Sequence, residues 1–293
     1  QFIYQSGVIV AASPVYFFTR GAVKDAHNYK VHRVKLAAPN LPDKFNGLKI
    51  VQLSDIHSGS FMYHDEVYKG VKKVVEEKPD VFFFTGDMVN VYAYEMNDYL
   101  DVFSHIQAPM GMYSTLGNHD YGDYARGWLD DNEKARNLQD LKDHHKNLGW
   151  QLLNNDHVVL DRMGQKLGII GVENWGAKAR FQKYGDIDKA MQGMPETPFK
   201  ILLSHDPSHW DAVVRPKHPD IDLMLAGHTH GMQFGIENKL FRFSPAQWMY
   251  KQWGGLYTEG NQHLYVNRGY GYLGYPGRVG ILPEITVIEL VKG

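Results

Sequence analysis

The sequence predicts an α/β fold, with layered sheets and helices outside them, on three observations. Short apolar runs alternate with amphipathic segments of helical period, the pattern of strands covered by helices. Several of the runs end abruptly in small clusters of Asp, His, Asn and Gly. No internal repeat or low-complexity linker divides the 293 residues, so one folded unit is expected over 37–293, preceded by a segment over 1–36. The composition agrees with this. Apolar residues make up 43% and charged residues 22%, as in ordinary globular proteins. The balance of 31 Lys+Arg against 33 Asp+Glu, formally −2, leaves no basic footprint for nucleic acid. There is no Cys, which excludes a disulfide scaffold, a Cys nucleophile and thiolate-held zinc or iron–sulfur sites.

At the amino end, residues 2–19 carry no formal charge and are mostly apolar, close to the roughly 20 residues of a spanning helix. Gln5, Ser13 and Pro14 interrupt them, so two readings stand side by side: a segment packed on the core, or the end of a membrane segment. Arg20, Lys24, Lys30, Arg33 and Lys35 follow, opposed only by Asp25. Basic residues beside a span favour the cytoplasmic face. The expectation is therefore membrane association on the cytoplasmic side, with the cell-surface side as the alternative.

Alternation over 30–36 predicts an edge strand, and Pro39, Pro42 and Gly47 punctuate the turn that follows. Leu48–Leu53 reads as a strand running into Ser54-Asp55-Ile56-His57. Val67, Val71, Val74 and Val75 fall on one helical face, so 64–78 reads as a helix stopped by Pro79. The continuous apolar run 81–84 reads as a strand covered on both faces, ending in Thr85-Gly86-Asp87. Met96, Tyr99, Leu100, Phe103 and Ile106 mark a second helix. Strand 111–116 ends in Gly117-Asn118-His119-Asp120, and Leu138, Leu141, His145 and Leu148 mark a third helix. Further strands are expected at 151–153, 157–161 and 166–171. Strand 199–203 ends in Ser204-His205-Asp206, and strand 221–225 in Gly227-His228-Thr229-His230. Strands near 263–267 and 284–290 close the chain.

In α/β sheets, ligands collect beyond the carboxyl ends of strands, so these five polar clusters are expected to converge. Their side chains offer carboxylate and amide oxygen and imidazole nitrogen, and no thiolate. That set suits Mn, Fe, Zn or Ni. It is too large for one ion, whereas two ions sharing a carboxylate form a hydrolytic clamp. The other ten histidines lie outside the clusters and are expected to be surface or core residues. Gly269-Tyr270-Gly271-Tyr272-Leu273-Gly274 has the spacing of a dinucleotide fingerprint, but Pro276 and Gly277 bar the helix that such a loop must open. Residues 241–257 gather seven aromatic or Met side chains. They are expected either in a core or interface patch, or as an apolar wall for a lipid-like substrate or the bilayer interface.

Asp55-x-His57, Gly86-Asp87, Gly117-Asn118-His119-Asp120, His205 and Gly227-His228-Thr229-His230, in this order, resemble the calcineurin-like metallophosphoesterase superfamily. Within it the chain is most similar to the bacterial membrane-associated branch, through its basic linker, the entry Leu41-Pro42 with Gly47–His57, and the tail His263–Leu290. Met232 departs from the second Gly common there. The resemblance implies a four-layer αββα sandwich with two central mixed sheets and a metal site at the carboxyl ends of strands. It implies a dinuclear phosphoesterase with two divalent cations, Mn being the one most expected to support activity. Asp55, His57 and His230 would hold one ion, Asn118, His205 and His228 the other, and Asp87 would bridge them. His119 would protonate the leaving oxygen or stabilise charge, with Asp120 orienting its ring. A metal-bridging hydroxide would attack phosphorus, on a phosphomonoester, diester or pyrophosphate, lipid-linked or nucleotide in kind. A catalytically silent scaffold that binds a protein partner is the alternative. Such members usually lose His or Asn ligands, and none is lost here. A mononuclear zinc hydrolase would leave several ligands unused.

Overall fold

The apolar run at 81–84 is a strand covered on both faces, and its two faces feed different cores. In the computed structural model, which describes residues 14–178, 181–238 and 240–293, Phe82 and Phe84 pack with Val67, Val71, Val74 and Val102. Val81 and Phe83 pack instead with Ile50, Ile201 and Leu225. The period-2 alternation of a strand thus separates a sheet-to-helix core from a sheet-to-sheet core.

The first sheet holds β1 (Lys30–Ala38), β2 (Leu48–Leu53), β3 (Val81–Thr85), β4 (Met112–Thr115), β5 (Gln151–Leu152) and β14 (Glu284–Lys292), in the order β1-β14-β2-β3-β4-β5. Only the β14/β2 pairing is antiparallel. The edge strand expected at 30–36 is β1. The second sheet holds β6 (Asp156–Arg162), β7 (Gln165–Gly171), β8 (Lys200–Leu203), β9 (Leu223–Ala226), β12 (Gly255–Glu259) and β13 (Gln262–Val266), in the order β12-β13-β9-β8-β7-β6. Its outer pairings, β12/β13 and β7/β6, are antiparallel and its centre is parallel. A hairpin of β10 (Ile236–Glu237) and β11 (Arg242–Phe243) stands apart.

Residues 14–23 form α1. The outer face of the first sheet is covered by α2 (His64–Glu76), α3 (Leu100–Phe103) and α4 (Asp131–Asn147). The second sheet is covered by α5 (Ile187–Met191) and a π-helical turn at Trp210–Val214. Helices, sheet, sheet and helices make the four-layer sandwich. The helix expected around 96–106 is mostly a 3₁₀ segment, Ala93–Tyr99, with one α turn after it. Glu95 explains this: its carboxylate turns back to accept from the N–H groups of Asn90, Val91 and Tyr92 and caps the segment tightly. Helix α4 starts seven residues before the first apolar marker, because Asp130 caps it by accepting from Glu133 N–H at 2.8 Å. The uncharged stretch 2–19 lies outside the described residues up to residue 13. From residue 14 its side chains are exposed on α1, with Val15 and Tyr16 69% and 59% exposed. Among the described residues, no helix is long and apolar enough to cross a membrane.

His145, expected to be no ligand, is a core residue with no exposure. Its Nδ1 bonds Ser114 Oγ at 2.9 Å and its ring lies against Phe84 and Trp150. Burial lowers it to about 3, with His144 adding to the effect. Folded His145 is therefore neutral between about pH 3 and 6.5, where the unfolded chain binds the proton, so stability falls as pH falls through that window. One such group contributes at most about 1.4 kcal/mol per pH unit. His145→Gln is expected to flatten the acid limb of unfolding free energy by up to that slope, measured by denaturant melts at several pH values. An unchanged slope would show that His145 does not carry the effect.

Candidate metal centre

Five parallel strands, β2, β3, β4, β8 and β9, end at the seam where the two sheets face each other. Gln52 closes that seam from inside, its Nε2 donating to Thr85 Oγ1 and to the Ala226 carbonyl of the other sheet, both at 2.9 Å. Beyond the strand ends the loops knit together: Asp55 N–H donates to Gly86 O, and Gly227 N–H to His205 O, both at 2.9 Å. The polar clusters predicted to converge do converge.

Two groups of side chains result. Asp55, His57 and His230 present ligand atoms within 4.8 Å of one another, as do Asp87, His205 and His228. In the first group His57 Nε2 lies 3.1 Å from His230 Nε2, which is 3.2 Å from Asp55 Oδ1. In the second, His228 Nδ1 lies 3.2 Å from His205 Nε2. Asp87 reaches both: its Oδ2 is 3.5 Å from His57 Nε2 and 3.1 Å from His205 Nε2. Its Oδ1 accepts from His119 N–H at 2.9 Å. Asn118 stands at the end of β4, with its Nδ2 donating to Tyr124 OH at 2.9 Å and its Oδ1 buried without a partner. An unpartnered buried amide oxygen costs about 1–3 kcal/mol, and a cation would satisfy it.

The backbone is bent to deliver these groups. Asp55, His57, Asp87, His228 and His230 all have positive φ, between 49° and 72°. This region is uncommon for residues other than Gly, though Asp and His tolerate it better than most. Gly86 shares it at 92°, and a Cβ there would sit 2.4 Å from Gly117 N. Gly227 is needed for closeness rather than for its turn, since its Cβ would meet Ser54 Oγ at 2.0 Å and Asp55 Oδ2 at 2.2 Å.

The ligand rings are held from behind. His205 Nδ1 donates to Thr85 O at 2.7 Å, and His228 Nε2 meets Tyr250 OH at 2.7 Å with Asp206 Oδ2 at 3.6 Å. Such contacts fix ring orientation and raise donor strength. Sequence reasoning missed Tyr250 as a partner of His228, although it had singled out the aromatic segment that contains it. Ser204, the other neighbour of His205, bonds His209 instead.

His119 lies at the mouth of the centre, its ring edge-on to His57 at 4.9 Å and stacked on Tyr124 at 4.3 Å. The role expected for Asp120 needs correction. His119 Nδ1 bonds the Asn90 carbonyl at 2.8 Å, so a backbone acceptor orients the ring. The Asp120 carboxylate is turned inward, accepting from the N–H groups of Gly117, Asp87, Met88 and Val89 at 2.8 to 3.4 Å. It shapes the loops that carry Asp87 and Asn118. No side-chain pattern announces a carbonyl such as that of Asn90.

Burial and mutual charge set the protonation of the cation-free centre. Burial first and the Asp87 charge second raise Asp120 to about 7, against the lowering by the donated N–H bonds and by His205. Burial alone would lower His205, but Asp87 outweighs it and lifts the ring to about 10. Burial pushes His57 well down and His228 to about 4. Asp87 stays well below the ordinary carboxylate range although burial opposes ionisation, because His205 and His119 flank it.

With this geometry in view, the comparisons define the class. The model of the calcineurin-like phosphoesterase family matches residues 48–232. The chain is 30% identical over 291 residues to a zebrafish (Danio rerio) transmembrane protein with metallophosphoesterase domain, covering 97% of this chain and 61% of that one. It is 30% identical over 254 residues to the uncharacterized metallophosphoesterase YkuE of Bacillus subtilis, covering 85% of this chain and 81% of that one. Among solved structures, the NAD nucleotidase of Haemophilus influenzae matches at TM-score 0.48 and 17% identity, over 76% of this chain and 45% of its own. The chain belongs to the calcineurin-like phosphoesterase family. It spans less than two thirds of the zebrafish relative.

Asp120→Asn tests the inward-facing carboxylate. In either amide orientation an NH₂ replaces an oxygen that now accepts N–H groups. The cation-free protein is expected to lose about 1–3 kcal/mol of unfolding free energy, measured by denaturant melts. A loss below about 0.5 kcal/mol would show that these bonds do not matter.

Proposed function

We propose that this protein hydrolyses phosphate esters at a dinuclear centre, with Asp55, His57 and His230 holding one divalent cation, Asn118, His205 and His228 the other, and Asp87 shared. The observation that carries this reading is the single Asp87 oxygen that reaches a histidine of each group. The donor set fits the cations the sequence suggested: oxygen and imidazole nitrogen without thiolate suit Mn, Fe, Zn or Ni, and the orphaned Asn118 Oδ1 is an oxygen awaiting a partner. When bound, such cations supply charge neutralisation of the phosphoryl oxygens and an activated water.

His119 is the proton donor in this reading. With Nδ1 engaged by Asn90 O, Nε2 is the nitrogen left to carry a transferable proton. Tyr124 stacks on the ring and holds its plane. The ring borders a cavity of about 370 Å³, also lined by Asn118, His228, Phe181, Met232, Met249 and Tyr250. The lining thus combines polar groups of the candidate centre with the apolar side chains Phe181, Met232, Ala246 and Met249.

The apolar part of that lining supports a finer reading, a lipid-linked phosphoester met at a membrane surface. From Met249 the apolar surface continues to Trp248 and Phe241, 75% and 55% exposed, and to Leu240, 98% exposed at the hairpin tip. Phe243 joins them, 5.9 Å from the Trp248 ring and 6.4 Å from that of Phe241. On the other side Phe234 stacks with Phe18 of α1 at 6.1 Å. Exposed Trp and Phe in such continuity mark an interaction surface, and Trp is enriched at the bilayer interface. The basic residues after α1 favour the cytoplasmic face.

Metal-stripped protein is expected to hydrolyse neither a generic phosphodiester nor a phosphomonoester, and added Mn²⁺ to restore turnover on at least one. His119→Ala is expected to keep its bound Mn²⁺ and lose about 10²–10⁴ in kcat. Bound metal with undiminished turnover in that variant would exclude His119 as the proton donor. For the surface, Phe241→Ser with Trp248→Ser is expected to weaken co-sedimentation with anionic vesicles by at least about tenfold, since burying each ring is worth about 1.5–3 kcal/mol. Unchanged sedimentation would remove the membrane reading and leave the hydrolytic one standing.

A further inference from the structure

The loop that follows β3 begins with Asp87, and its backbone bonds to side chains rather than to itself. Every N–H from Asp87 to Ala93 is taken by one. Asp120 accepts from Asp87, Met88 and Val89, Glu95 from Asn90, Val91 and Tyr92, and Asn137 of α4 from Ala93. An N–H left unpaired away from water is costly, so the loop takes the shape that these acceptors impose.

The middle acceptor, Glu95, stands across a single peptide unit from His119. That unit joins Asn90 to Val91. Its N–H, that of Val91, donates to Glu95 Oε1 at 3.2 Å. Its carbonyl, that of Asn90, lies 2.8 Å from His119 Nδ1. In a trans peptide these two groups point opposite ways, so the carboxylate grips one edge of the plane and the ring sits on the other. A carbonyl only accepts. The hydrogen of this contact is therefore on Nδ1, which leaves Nε2 as the ring atom that exchanges a proton. Both bonds run the same way, from the ring through the peptide to the carboxylate, so each polarises the next. Glu95 also holds the flanking peptides, through Asn90 N–H at 2.6 Å and Tyr92 N–H at 3.0 Å. The turn Ser58–Ser60 closes on the carboxylate: a Cβ on Gly59 would lie 2.3 Å from Glu95 Oε2. Asn90 Nδ2 donates to Ser60 Oγ of that turn at 3.1 Å. The carboxylate has little room to move.

We infer that Glu95 is a positioning residue for His119: by gripping the Asn90–Val91 peptide it aims the Asn90 carbonyl at Nδ1, fixes the tautomer of the ring and leaves Nε2 for the cavity that the ring lines. Among the described residues Glu95 makes no hydrogen bond to His119 or to a candidate ligand, so it acts only through that peptide. The inference rests on His119 as the proton donor of the reading above and extends that role to a residue outside the centre.

The test crosses two substitutions of Glu95 with His119→Ala in the Mn²⁺-loaded protein, with circular dichroism as the check on folding. The substrates are aryl phosphoesters, of whichever class wild type hydrolyses, that differ in leaving group. Phenol needs a proton to leave, and p-nitrophenol does not. Glu95→Met removes the acceptor. It is expected to bind Mn²⁺ as wild type does, to lose about 10–100-fold in kcat on the phenyl ester, and to lose less than about threefold on the p-nitrophenyl ester. Added to His119→Ala, the same substitution is expected to cost less than about twofold, since residues that act as a unit are not additive. Glu95→Gln can keep an oxygen on Val91 and Tyr92 while its NH₂ opposes the Asn90 N–H, and is expected to fall between. It supplies the answer if the Met variant does not fold. A second readout needs no turnover: ring-nitrogen resonances of isotope-labelled histidine are expected to show the Nδ1–H form at His119 in wild type and a mixture of tautomers in Glu95→Met. A loss equal on both esters, or one that persists without His119, would overturn the inference, since either marks a general disturbance. Wild-type kcat on the phenyl ester in folded Glu95→Met, or an unchanged tautomer, would overturn it as well. A His119→Ala loss equal on both esters would instead overturn the proton-donor reading, and no turnover by wild type the hydrolytic one, while the tautomer still decides what Glu95 does to His119.

Discussion

The shared Asp87 carboxylate is the constraint around which the rest of the structure is arranged. One oxygen must lie close to histidines from opposite sheets, so the carboxyl ends of β3 and β8 have to meet within a side chain's reach. That demands two sheets packed face to face with their parallel centres in register, and the inter-sheet core centred on Phe83, Ile201 and Leu225 provides it. Gln52 then sets the spacing at the site end, because a buried amide that bonds both sheets tolerates little sliding. The other oxygen of Asp87 accepts the His119 N–H, so the same carboxylate that joins the two ligand groups also locates the residue at the cavity mouth.

Gathering so many ionisable groups without water costs free energy, and the cost is concentrated in the loops. Each non-Gly residue held at positive φ costs of the order of 1–3 kcal/mol, and five of the candidate ligands are so held. The sandwich tolerates this because the five strands that lead into these loops are short and almost wholly buried. Asp120 shows how the loops are held open. Its carboxylate collects four backbone N–H groups that would otherwise point into the site unpaired. Its own electrostatic discomfort beside Asp87 is the consequence of using a carboxylate where a cluster of donors must be satisfied.

Much of this was legible in the sequence, and the reason is physical. Leu48–Leu53 and 81–84 announce themselves as strands because both faces are buried, and the abrupt change to Asp, His and Gly marks where each leaves the sheet. The convergence of the candidate ligands was legible for the same reason, since Asp55, His57, Asp87, Asn118, His205, His228 and His230 all sit within a few residues of a strand end. What was not legible depends on backbone or on distance along the chain. The Asn90 carbonyl that orients His119 has no side-chain signature, so the neighbouring Asp120 was credited with its task. The 3₁₀ course of Ala93–Tyr99 follows from Glu95 folding back on the preceding turn, which apolar spacing does not encode. Arg278 lies in a Gly-rich tail far from His230, and only the fold brings them together.

The two ligand groups differ in what stands behind them, and this has a consequence for how the molecule can be tuned. Behind His205 and His228 are acceptors: a carbonyl, a phenol oxygen and a carboxylate. Behind His230 is a cation, and His57 Nδ1 has no hydrogen-bond partner among the described residues. Acceptors strengthen imidazole as a ligand, so as candidate ligands His205 and His228 stand in surroundings that favour donor strength, and His57 and His230 do not. The segments that supply these partners also reach the surface. Tyr250 follows directly on the exposed Trp248 and Met249, and the Arg278 backbone is bonded to α1. The contact of His228 is thus made by a segment that carries exposed apolar side chains, and the residue beside His230 is bonded to a helix that carries others.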